Sequence, residues 1–138
     1  MSSVQTESTT LPSSSSNDDA TIEKVESHWR GHFFTAEISE ELYTFRVLKM
    51  NQSLFIYIGQ FENEVLDELA MSVPVEDFVS TTIIGTLHGC DSQELAQQFT
   101  RRLKKQVFVS CNIPSNNLTR LMLVKRIAEE MKNVPDAF

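Results

Sequence analysis

Apolar residues recur along this chain with two different periods. Period two dominates from about residue 28 to residue 85 and returns after residue 105, while a helical period occupies two later stretches. His28 to Ile38, with Phe33, Phe34 and Ile38 among β-compatible neighbours, predicts a first strand. Ser39-Glu40-Glu41 reads as a turn, Leu42 to Met50 as a second strand and Ser53 to Gly59 as a third. Leu66 to Val73 fits a fourth strand, and its Leu66, Leu69, Ala70 and Val73 would also fit a short helix. The Pro74 that follows favours the strand. Val75 to Gly85 is rich in β-branched residues and predicts a fifth strand. Beyond a loop at Gly85 to Gly89, Asp91-Ser92-Gln93-Glu94 reads as a capping box, with Asp91 at the cap and Glu94 reaching back. Leu95, Ala96, Phe99 and Leu103 then line one side of a helix, and Arg101, Arg102, Lys104 and Lys105 gather at its end, where cations complement the helix dipole.

Val107, Val109, Cys111 and Ile113 alternate with Phe108, Ser110 and Asn112, which predicts a sixth, buried strand. Pro114 to Asn117 is turn chemistry, and Asn116 or Asn117 can cap the helix after it. That helix carries an apolar stripe of Leu118, Leu121, Val124, Ile127, Ala128 and Met131, widened by Met122 and Leu123. A helix this apolar needs a broad surface to lie on. The expected fold is therefore α+β: a mainly antiparallel sheet of about six strands, two helices packed on one face, and chain order β1-β2-β3-β4-β5-α1-β6-α2.

The second and third strands carry more detail. If Asn51-Gln52 is a two-residue hairpin loop, in which Asn tolerates positive φ, then Met50 pairs with Ser53 and Leu48 with Phe55. Opposed residues share a face. One face then holds Tyr43, Phe45, Val47, Leu54, Ile56 and Ile58 and must be core. The other holds Thr44, Arg46, Leu48, Phe55 and Tyr57, a mixture of aromatic and charged groups like that at the centre of protein interfaces. Phe108 points opposite to Val107 and Val109. The candidate partner interface is therefore Arg46, Leu48, Phe55, Tyr57 and Phe108. Two helices can cover only one face, so a lone chain should expose an apolar patch on the other.

Composition narrows the classes. Residues 1–25, rich in Ser, Thr, Asn and acidic groups, have too little apolar surface to offset ordering and read as a disordered tail. Residues 26–138 make one domain, large enough for a core without staples. A net charge of −7 argues against a general nucleic-acid binder, and no apolar run reaches the length of a membrane span. Cys90 and Cys111 form neither a disulfide framework nor a zinc pattern and read as reduced thiols of a cytosolic or nuclear protein.

The chemistry of a catalytic or metal site does not assemble. His28 and His32 lie about 13 Å apart if both are on a strand. Gly85-Thr86-Leu87-His88-Gly89 lacks the Lys and spacing of a phosphate loop. The scattered carboxylates mark no general acid and base. The His88–Cys90 loop leaves a ligand-binding or thiol domain as one alternative, and a small homodimeric scaffold as another. No cofactor, metal or catalytic residue is expected.

Three segments carry a family resemblance. Lys105-Gln106-Val107-Phe108-Val109-Ser110 followed by Asn112, the ending Arg126-Ile127, Glu129-Glu130-Met131, Pro135 and Phe138, and the strand Ser53-Leu54-Phe55-Ile56-Tyr57-Ile58-Gly59 together resemble proteasome assembly chaperone 4. The match is collinear from about Phe33 to Phe138, and it too favours a strand at Leu66 to Val73. It implies one proteasome-assembly-chaperone domain with no catalytic activity, paired as a heterodimer with proteasome assembly chaperone 3. It further implies binding to proteasome α-type subunits, notably α5, to order the α-ring of the 20S core particle.

Overall fold

Strand β1 (Arg30–Ile38) turns into β2 (Glu41–Met50) through Ser39 and Glu40, both at positive φ (52° and 68°), as a tight two-residue hairpin demands. A second two-residue loop, Asn51-Gln52, leads into β3 (Ser53–Gln60). The expected register holds at every pair, from Met50 opposite Ser53 to Phe45 opposite Ile58. Gln52, with φ 62°, carries the left-handed conformation there; Asn51 does not.

This computed structural model describes residues 20–85, 91–113 and 116–138. The expected tail lies outside the described residues up to residue 19, and residues 20–29 are exposed and without regular structure. The loop of His88 and Cys90 and the turn residues Pro114 and Ser115 also lie outside them.

Strand β4 (Leu69–Ser72) is shorter than its apolar run, and Leu66 lies in the preceding loop. The expected fifth strand divides. Pro74 has no N–H to donate, so the ladder stops there. Residues 76–78 form a 3₁₀ turn, and the Val73 N–H donates to the Val79 carbonyl at 3.0 Å before β5 (Ser80–Ile84) begins. Helix α1 (Asp91–Leu103), β6 (Gln106–Cys111) and α2 (Asn117–Asn133) complete the order.

The strands lie as β1-β2-β3-β6-β4-β5, with β6 parallel to β3 and every other neighbouring pair antiparallel. One sheet face is the core. Phe45, Leu54, Ile56, Ile58, Val107 and Val109 are fully buried there beneath Leu95, Ala96 and Phe99 of α1 and Leu123 and Ile127 of α2. Helix α1 lies over β4, β5 and β6, while α2 reaches β1. Cys111 is buried in this core, and burial pushes its thiol up to about 12, so it stays protonated and unreactive.

Three expectations about the helices meet different outcomes. Asn116 caps α2, its Oδ1 accepting from the Leu118 N–H at 2.9 Å. Asp91 stands inside α1, and its carboxylate and that of Glu94 receive the guanidinium of Arg120 from α2, tying the helices together at their starts. The stripe on α2 is rotated: Thr119, Leu123, Ile127, Glu130 and Met131 face inward, whereas Leu118 (61% exposed), Leu121 (69%) and Met122 (42%) face out.

Glu130 explains the rotation. Its carboxylate meets His32 Nε2 of β1 at 2.8 Å and accepts from Arg126 at 2.8 Å, and that guanidinium lies 4.8 Å over the Phe34 ring. The cluster clasps the edge strand to the helix, with Phe138 against His32. Burial opposes the Glu130 charge, but the His32 and Arg126 bonds outweigh it and hold its pKa below the ordinary 4.5. A depressed carboxylate stabilises the fold above its unfolded-state pKa, and that contribution fades as pH falls through the folded value. The stability gap between wild type and Glu130→Gln in urea titrations should thus be full at neutral pH and shrink below about pH 4.5. A gap that is constant down to strong acid would show that the charge is not what matters.

Candidate partner interface

Among the described residues no helix lies on the second face of the sheet. Register places its side chains in a transverse row: Gly31 beside Leu48, Leu48 beside Phe55, Phe55 beside Phe108, Phe108 beside Met71, and Met71 beside Thr81. Leu48, Phe55, Phe108 and Met71 are each half-buried, so the row is an apolar band across four strands that the described residues leave open. Leu48, Phe55 and Phe108 are brought together as the alternation of the strands implies. Met71 joins them because β6 lies between β3 and β4, an order that residue spacing does not reveal.

One end of this face is covered in a way the acidic composition of residues 61–68 does not suggest. The segment folds back over β3. The Phe61 N–H donates to the Leu42 carbonyl at 3.0 Å, and the Tyr57 hydroxyl donates to the Val65 carbonyl at 2.5 Å. Arg46 Nε meets both carboxylate oxygens of Glu64 at 3.0 and 3.2 Å, while its guanidinium sits 4.9 Å over the Phe33 ring. At the far end, Asn112 Oδ1 accepts the N–H groups of Asp67 (2.7 Å) and Glu68 (3.2 Å), and Ser110 Oγ donates to the Glu68 carbonyl at 2.5 Å. Thr44 and Tyr57 are consequently buried, at 1% and 7% exposure, although they belong to the outer face.

Between this segment and the strands runs a groove of about 420 Å³ lined by Arg46, Leu48, Phe55, Tyr57, Val65 and Leu66, among others. Four of the five candidate residues thus line one groove, and Phe108 adjoins it through Phe55. Their parts differ. Leu48, Phe55 and Phe108 offer open apolar surface. Arg46 is occupied by Glu64 and Phe33, and Tyr57 forms the groove's floor. Burial, then the Glu64 carboxylate, raises the Tyr57 pKa above 10.0, so its hydroxyl remains a donor to Val65.

Gly59 has a role that its backbone angles do not require. The Tyr57 ring lies across it, and a Cβ there would stand 2.6 Å from the hydroxyl oxygen and 2.8 Å from Cε1. Gly59→Ala should push the ring aside, break its bond to Val65 and loosen the covering segment, at a cost of roughly 1–3 kcal/mol. Near-ultraviolet circular dichroism and a urea titration would read this. An unchanged tyrosine signal with unchanged stability would show that the ring has room elsewhere.

His32 is engaged by Glu130, His28 lies in the exposed stretch before β1, and the described residues contain no group of His, Cys, Asp and Glu able to hold a metal ion. No helix among the described residues is long and apolar enough to cross a membrane.

Fold and face together define a class: a single-sheet α+β module with both helices on one side and an open apolar face on the other. A family model described as Proteasome assembly chaperone 4 matches residues 43–113, which include Leu48, Phe55, Met71 and Phe108 of the row and the Asn112 staple. The human protein named Proteasome assembly chaperone 4 is 35% identical over 109 residues, covering 78% of this chain and 89% of the relative. The mouse protein of the same name is 34% identical over 113 residues with the same coverage. This chain belongs to the proteasome assembly chaperone 4 family. Its fold is shared with a chain of a solved structure titled a novel chaperone complex for yeast 20S proteasome assembly, at a TM-score of 0.59 and 14% identity, covering 76% of this chain and 96% of that one.

Proposed function

We propose that this chain is a non-catalytic chaperone that pairs through its open sheet face with proteasome assembly chaperone 3. The pair engages α-type proteasome subunits, notably α5, while the α-ring of the 20S core particle is put in order, in the cytoplasm and also the nucleus. The observation that carries this reading is the band Leu48–Phe55–Phe108–Met71, half-buried and without a helix of its own. Membership of the chaperone family and the fold shared with a yeast 20S assembly chaperone complex support it. The physical task needs no nucleotide and no covalent step. It needs a surface that binds an intermediate and is displaced when a later subunit claims the same space.

The test is purification of the tagged full chain from cells, with mass spectrometry and light scattering of the eluate. Proteasome assembly chaperone 3 in equal amount, accompanied by α-type subunits, is the expected result. A self-paired chain without either would overturn the reading in favour of a homodimeric scaffold.

A further inference from the structure

The helical layer, opposite the face just described, has an electrostatic character of its own. The chain has 19 acidic and 12 basic residues, yet between Leu95 and Ala128 every Asp, Glu, Lys or Arg position is basic: Arg101, Arg102, Lys104, Lys105, Arg120, Lys125 and Arg126. Arg120 is held by Asp91 and Glu94, and Arg126 by Glu130. Arg101, Arg102 and Lys125 are exposed. Between the helices lies a groove of about 370 Å³ lined by Gln98, Phe99, Arg101, Arg102 and Val124, with no carboxylate in its lining. One turn before Val124 on α2, Leu121 stands 69% exposed, and Leu118 61%.

Phe99 and Val124 share that groove with two cations, on a chain whose remaining charge is strongly negative, and this fits a complementary partner. We propose that the α1–α2 surface is a second docking site, taking an acidic protein segment that places an apolar side chain against Leu121 and Val124 and its carboxylates beside Arg101 and Arg102. Opposite potentials steer such an encounter, and a desolvated apolar anchor retains it. The cations alone would suit a nucleic acid equally well. Leu118 and Leu121, which a phosphate backbone cannot use, favour protein. The site does not depend on the sheet face being a dimer interface, and it stays accessible when that face is covered.

The experiment is nuclear magnetic resonance of the ¹⁵N-labelled full chain. It is titrated with a short amphipathic peptide of Leu and Glu, with its Leu and Lys counterpart, and with a DNA duplex. The Leu/Glu peptide is expected to shift amide signals of Gln98 to Leu103 and Leu121 to Ala128 while leaving β2 and β3 unmoved. Arg101→Glu with Arg102→Glu should weaken it by roughly tenfold or more, and Leu121→Ser should weaken it at unchanged charge. All three positions are exposed, so the fold should persist, with thermal melts as the check. Equal binding of the Leu/Lys peptide, equal or tighter binding of the duplex, shifts confined to the sheet face, or no binding would each overturn the proposal.

Discussion

Phe55→Asp, or Phe108→Asp alone, is expected to leave the chain eluting by itself when it is co-expressed with proteasome assembly chaperone 3. In the free chain either carboxylate would sit half-exposed and hydrated. In the proposed complex it would be driven into the middle of an apolar band without a counter-charge, a cost of several kcal/mol. Pairing should therefore weaken by roughly a thousandfold or more. The two changes are better made separately, because Phe55 and Phe108 are direct neighbours and paired carboxylates would repel one another within the sheet. Each side chain faces away from both helices, so circular dichroism of the lone variant should remain native. Retention of the heterodimer by both variants would place the partner on another surface.

The largest effect on stability is expected inside the core. Ile56 and Ile127 are 0% and 1% exposed on facing layers, and truncating either to Ala should cost about 2–5 kcal/mol. That is a large share of the roughly 5–15 kcal/mol that holds a typical domain together. Leu121→Ala makes the matching control. At 69% exposure it should change stability by less than about half a kcal/mol. Denaturant titration that ranked Leu121 with Ile127 would mean that α2 presents a different side to the sheet.

That comparison also marks where reading the residues succeeds. The β2–β3 register was legible because a two-residue loop allows a single pairing and an apolar face pins it. Leu48 and Phe55 followed as neighbours, and Phe108 as a residue of the same face. On α2 the apolar residues extend over more than one side, so periodicity alone cannot choose among them. The choice falls to Glu130, whose bonds to His32 and Arg126 are contacts between residues far apart in the chain. The covering segment was illegible for a similar reason. Its acidic residues look solvent-bound, and only the placement of Tyr57, Ser110 and Asn112 shows that its backbone carbonyls and N–H groups have partners on the sheet. The ends of β4 and β5 shifted because Pro74 and the turn after it interrupt a run whose composition is uniformly β-forming.

The position of β6 has a consequence during synthesis. This strand fills the slot between β3 and β4, pairing with β3 residues 53 positions earlier and β4 residues 35 to 39 positions earlier. As the chain leaves the ribosome, β1 to β3 can close as a meander, but β4 and β5 have no neighbour on that sheet until Gln106–Cys111 arrives. Until then Val47, Leu54 and Ile56 also lack the cover of α2, which follows β6 in the chain. The last quarter of the message thus decides whether the first three-quarters become a protein or a target for quality control. A stop codon anywhere before β6 should be as damaging as one near the start.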